Sequence, residues 1–179
     1  DELAQLIDPR NTVLLLGAGA AVNSGAPTGA ALARHLADKL KPSPTGTDLA
    51  EIAGIFEARE GREALISATR ARLDGLAPTG GLLALPAYDW RAIYSTNFDT
   101  LVEAAYREAG HQLTTIRSNY DFRRDSSGTV LYKIHGCMTQ DISDGHKSRM
   151  VLTETDYDEV RAYRDALFVS LQQHMLTAD

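Results

Sequence analysis

Three short stretches of this chain hold the residue types that do chemistry. In Ser95-Thr96-Asn97-Phe98-Asp99 an amide and a carboxylate stand two residues apart, after an apolar run that reads as a strand. Such a pair has an ordinary use: Asn97 caps the following helix, and Asp99 sits in its first turn, where a carboxylate suits the dipole. It has a chemical use too, with Asn97 bonding a sugar hydroxyl or a water and Asp99 accepting from an amide. His135, with Gly136 behind it, ends a second β-type run. It reads either as a polar strand terminus or as a base, since an ordinary imidazole pKa near 6.5 leaves it mostly neutral around pH 7. The third stretch, Gly17-Ala18-Gly19 running on to Pro27, follows "TVLLL". Glycines there serve a tight turn, or leave backbone N–H groups open to an anion ahead of a helix N-terminus. Two common phosphate motifs are not met: Val22 fills the third place of Gly-x-Gly-x-x-Gly/Ala, and no lysine occurs between Leu14 and Asp38. The remaining histidines, His35, His111, His146 and His174, sit on a solvated helix face, after a helix stop, in a polar loop and near the chain's end.

The elements that must position these residues alternate. "TVLLLG" predicts a strand buried on both faces of a parallel sheet. From Ala30 the spacing is helical, with Leu32, Leu36 and Leu40 on one face, until the breaker Lys41–Thr47. Two helices, about Asp48–Arg59 and Arg62–Leu73, follow without a strand between them. Trp90–Ser95 predicts the second strand, about Asp99–Ala109 a helix stopped by Gly110, "QLTTI" and "TVLYKIHG" two more strands, and "RMVLT" a fifth. Two helices close the chain, with a capping start at Thr153 or Thr155. The pattern predicts an α/β, Rossmann-like three-layer fold with a mostly parallel sheet and a helical insertion, about residues 42–86, after the first strand–helix unit. In such sheets ligands bind beyond the carboxyl ends of the strands, where all three chemical stretches fall.

The totals bound the reading. A chain of 179 residues, 44% hydrophobic and 23% charged, suits one domain over residues 1–179. The net charge is −6, and the densest basic cluster, Arg117–Arg124, is broken by Asp121, so direct nucleic-acid binding is not expected. A single cysteine, Cys137, excludes an internal disulfide and a zinc site built from cysteine pairs. With no run near the ~20 apolar residues of a membrane span and no signal-peptide pattern, a cytoplasmic protein without membrane contact is expected. The chain opens on Asp1, and its last helix carries an apolar face with no strand after it. Both features read as a fragment of a longer chain lacking its last strand or strands.

Taken together, Gly17-Ala18-Gly19 leading to Ser24-Gly25-Ala26-Pro27, then Ser95-Thr96-Asn97-Phe98-Asp99-Thr100-Leu101, then Ile134-His135-Gly136 resemble the signature of the sirtuin-like family in order and rough spacing. Two departures separate the chain from deacylating sirtuins. Thr28-Gly29-Ala30 follow Pro27 where those enzymes have an acidic residue, an aromatic and an arginine, and the four zinc cysteines are missing. The pattern instead resembles the bacterial branch that consumes NAD as an effector of anti-phage defence.

That resemblance implies NAD⁺ as substrate, no metal, and an oligomer or a complex with a sensor. It implies hydrolysis of the nicotinamide–ribose bond, with Asn97 orienting a ribose hydroxyl or the attacking water and His135 taking the proton. Asp99 would hold the carboxamide, and Gly17, Ala18 and Gly19 the diphosphate, with Asn23 and Thr28 adding polar contacts. Pro27, Thr96 and Gly136 complete the implied NAD-contacting set. Two other readings use the same ligand: a protein deacylase or ADP-ribosyl transferase, and a non-catalytic module that binds NAD or ADP-ribose.

Overall fold

The structure is a computed structural model that describes residues 7–123, 128–141 and 149–178; His146 and Arg124 lie outside these. Four strands, β1 (Val13–Leu16), β2 (Ala92–Ser95), β3 (Leu113–Ile116) and β4 (Thr129–Lys133), form one parallel sheet in the order β1-β2-β4-β3. Side chains alternate across it. Leu14, Leu16, Ile93 and Leu131 face one core, while Val13, Ala92, Tyr94, Tyr132 and Ile134 face a second. The central strands β2 and β4 are buried on both faces, as their apolar runs suggest, but β1 is an edge strand: Leu15 is 63% exposed, so the burial on both faces expected for "TVLLLG" does not hold there.

The first core is closed by α1 (Gly29–Lys39), α2 (Leu49–Glu60), α3 (Arg62–Arg70) and α5 (Leu101–Glu108), with the single turn α4 (Gly81–Ala84) before β2. Leu36, Ile52, Phe56, Leu65 and Ile66 share this core with Ile93 and Leu131. The helices between β1 and β2 therefore belong to the same hydrophobic unit as the sheet. The second core is closed by α6 (Glu154–Thr177), through Leu167 and Leu171.

The expected pair of closing helices is present within α6, as two helical segments that meet at a kink at Arg164, where the backbone leaves helical values (φ −135°, ψ 18°). There Asn119 Oδ1 accepts the Ala166 N–H at 3.0 Å, a side chain entering the helix ladder, which is a recognised cause of kinking. Before the bend Tyr157 packs edge-on against His135, and beyond it Leu167 and Leu171 cover the sheet. A capping box at Thr153, reciprocated by Asp156, begins the helix.

The fifth strand expected at "RMVLT" does not form; Arg149–Thr153 is irregular. Side chains take its backbone groups. Asp156 Oδ2 accepts from Leu152 N and Thr153 N at 3.0 Å each, Asp141 accepts from Met150 N, and Arg62 Nη2 donates to the Met150 carbonyl at 2.7 Å. With those groups satisfied, the segment's link to the sheet side is Val151 N donating to the carbonyl of His135, two residues past β4, at 3.0 Å. Arg62 ties the arrangement together, pairing with Asp141 at 2.7 Å and Asp156 at 2.9 Å.

Beneath His135, Gly136 adopts φ +82°, and an added Cβ would stand 2.8 Å from the Arg149 carbonyl oxygen and 2.9 Å from Arg164 Nη2. Gly136→Ala therefore combines left-handed backbone strain with a collision against main chain. It is expected to cost about 2 kcal/mol or more, read as a lowered urea midpoint.

Candidate active site

The three stretches singled out by chemistry meet because their strands are neighbours. β1, β2 and β4 lie side by side and parallel, with Leu16 opposite Ser95 and Ser95 opposite Lys133, so their carboxyl ends stop at one level. Backbone bonds carry the contact past the strand ends. Thr96 N donates to the Leu16 carbonyl at 3.0 Å, Ile134 N to Ser95 O at 3.0 Å, and Met138 N to Phe98 O at 2.9 Å.

An open cavity of about 230 Å³ lies there. Thr96, Asn97, Asp99, His135 and Tyr157 supply its polar residues; Leu32, Leu49, Leu73 and Phe98 supply apolar wall. Pro27 and Gly29, at the start of α1, also line it, so the N-terminal turn of that helix borders the space. A helix N-terminus there offers the positive end of its dipole to an anion.

Asn97 does not cap the helix. Its Nδ2 donates across to the Gly17 carbonyl at 3.1 Å, which orients the amide and leaves Oδ1 as an acceptor. The local turn is held by Asp99, whose Oδ1 accepts the Leu101 N–H at 3.0 Å, and α5 accordingly starts at Leu101 rather than Asp99. Asp99 is buried and still borders the cavity.

His135 lies two residues beyond β4, half-buried, with its ring edge-on to Tyr157 at 5.4 Å between centroids. Burial, and secondarily the Arg164 guanidinium, lower its pKa from 6.5 to about 4. The imidazole is thus neutral over a wider pH range than an exposed histidine. Arg164 is itself buried, and its guanidinium donates to the Arg117 carbonyl at 2.8 Å and to the Arg149 carbonyl.

The glycine loop behaves differently from a bare cradle. After Gly17 the chain forms a 3-10 segment, Ala18–Ser24, closed by Gly25 at φ +87°. Ala18, Ala21 and Ala26 reach the cavity wall, whereas Gly17 and Gly19 do not line it. Nothing lies within 4 Å of a Cβ built on Gly19, so packing does not demand glycine there. Asn23 is exposed and off the wall, and Thr28 caps α1 by accepting the Ala31 N–H at 3.2 Å. Gly136 lies underneath, against Arg149 and Arg164.

Of the residues singled out from sequence, Ala18, Pro27, Thr96, Asn97, Asp99 and His135 thus border the cavity; Gly17, Gly19, Asn23, Thr28 and Gly136 do not. Sequence reading missed Tyr157 and the apolar wall. Phe98 stood inside a quoted motif, and Tyr157 followed the capping box, so both had a local signal. Leu49 and Leu73 carry only helical periodicity, which does not distinguish a core position from a cavity wall.

Among the described residues, no group of three His, Cys, Asp or Glu side chains is placed to hold a metal ion, and no helix is long and apolar enough to cross a membrane. No curated protein matches the chain. Residues 91–178 match the family model described as SIR2-like domain. The match begins one residue before β2 and takes in Asn97, Asp99 and His135, while the glycine loop lies outside it. This match implies an NAD-related function. From β2 to the end of α6, the chain carries a sirtuin-like domain.

Proposed function

We propose that this domain is an NAD⁺ glycohydrolase, releasing nicotinamide and ADP-ribose. The observation that carries the reading is the meeting of Asn97, Asp99 and His135 at one cavity beside a helix N-terminus. In the reaction the bond between the nicotinamide nitrogen and the ribose carbon breaks. Its electron pair goes to the pyridinium, which departs neutral and needs no general acid. Water then adds to the oxocarbenium-like carbon and gives up its proton. In this reading Asn97 Oδ1 holds that water or a ribose hydroxyl, and neutral His135 takes the proton. Asp99 accepts from the carboxamide, and the turn from Ala18 to Pro27, with the start of α1, takes the diphosphate.

Peptide-dependent deacylation is the less favoured use of the same site, because these 179 residues hold one cysteine rather than the four of a zinc module. The resemblance to anti-phage effectors extends the reading to NAD depletion in bacterial cytoplasm, by an oligomer or a sensor-bound complex. That role fits an enzyme that needs no second substrate beyond water.

Mixing the protein with NAD⁺ alone and quantifying free nicotinamide tests the activity; strict dependence on an acyl-lysine peptide would overturn hydrolysis in favour of deacylation. Asn97→Ala and His135→Ala are each expected to reduce turnover on the order of 10²–10⁴-fold. Both should remain folded, because neither side chain caps a helix. Parent-level hydrolysis by either folded variant contradicts its assigned role.

The lowered pKa of His135 sets the pH response. A base is active when unprotonated, so kcat/KM should rise with pH through about 4 and show no step attributable to His135 near 6.5. The unfolded state binds more protons than the folded one between about 4 and 6.5, so this group's share of stability is lost as pH falls through that window. An NMR titration of the His135 ring with a midpoint near 6.5 would contradict both statements.

A further inference from the structure

Lys133, the last residue of β4, is 1% exposed, on the same strand face as the core residue Leu131. An apolar side chain would fill that place without the cost of burying a cation. Its ammonium instead donates to the main-chain carbonyl of Asp99 and lies 3.6 Å from Glu103 Oε1, in the first turn of α5. Arg117 approaches the same carboxylate at 3.8 Å. Among the described residues neither Glu103 oxygen has a hydrogen-bond partner, so this carboxylate serves as a counter-charge at a distance rather than as a direct clamp.

The grip is on the site. The Lys133 side chain holds the carbonyl of Asp99, while its main chain leads through Ile134 directly to His135. One residue thus joins the segment that presents Asn97 and Asp99 to the segment that presents His135. The Met138 N–H to Phe98 carbonyl bond, at 2.9 Å, is a second tie between the same segments, further from β4.

We infer that Lys133, with Glu103 as its counter-ion, is a positioning residue that fixes the Asn97–Asp99 turn relative to His135. Its kinetic consequence rests on the hydrolase reading; its structural consequence does not. Removing the grip loosens the turn, so the water held by Asn97 is placed less well against the ribose carbon. The oxocarbenium-like species then partitions less toward water and more toward recapture of nicotinamide. That partition is independent of the fraction of molecules folded, so a merely structural role leaves it unmoved.

The test uses Lys133→Met and, because Glu103 would then keep only the more distant Arg117 as counter-charge, the double variant Lys133→Met/Glu103→Gln, in which both charges of the Lys133–Glu103 pair are gone. Hydrogen exchange is followed at the amides of residues 97–101 and in β2 and β4. In parallel, incorporation of labelled nicotinamide into NAD⁺ is divided by ADP-ribose formed. The turn amides should exchange about 10-fold faster or more with the sheet unchanged, and the incorporation ratio should rise several-fold. Wild-type exchange in the turn of the folded double variant overturns the inference. A loosened turn with an unchanged ratio overturns the role at the site and leaves Lys133 a structural cation. If the parent releases no nicotinamide, the hydrolase reading falls by itself, and turn exchange alone decides the positioning.

Discussion

The constraint on which the rest depends is the parallel register of three adjacent strands. Leu16, Ser95 and Lys133 lie opposite one another, so whatever follows each strand must emerge at the same edge of the sheet. A chain separation of 80 residues between Gly17 and Asn97 becomes a 3.1 Å hydrogen bond. The site is a consequence of strand order, because an antiparallel or reordered sheet would scatter the same motifs to opposite ends.

Around that edge, polar groups are arranged for placement more than for reactivity. Asn97 is oriented by the Gly17 carbonyl, Asp99 by the Leu101 amide, and the turn holding both by the Lys133 ammonium. His135 is kept neutral by burial and by Arg164, whose guanidinium also ties the Arg117 and Arg149 carbonyls at the kink of α6. Cleavage of a bond whose leaving group departs neutral asks mainly for such placement, since no strong acid is needed. Under the proposed hydrolase reading, burial keeps His135 unprotonated at neutral pH and makes it a weak base, which suffices because water bonded to an oxocarbenium-like carbon is strongly acidic.

Much of the fold was legible because apolar runs and helical spacing carry it directly. The strands leading to Ser95 and to His135 could be seen in "AIYS" and "TVLYK", and their carboxyl ends followed. What periodicity could not show was competition for backbone groups. "RMVLT" has strand composition, yet Asp141, Asp156 and Arg62 claim its amides and a carbonyl from distant positions. Asn97 looked like a helix cap because its local context permits one; only the neighbouring β1 end reveals the Gly17 carbonyl as its partner. The glycine motif likewise suggested glycine contacts, whereas the cavity wall is made by the alanines between and after them. Lys133 was silent in sequence because a lysine at a strand end usually faces water.

The most direct test of the central claim is a crystal structure of the His135→Ala variant soaked with NAD⁺. The account predicts the nicotinamide ribose against Asn97 and Asp99, with the diphosphate at the turn leading into α1. A dinucleotide bound elsewhere, or no density at saturating NAD⁺, would contradict it.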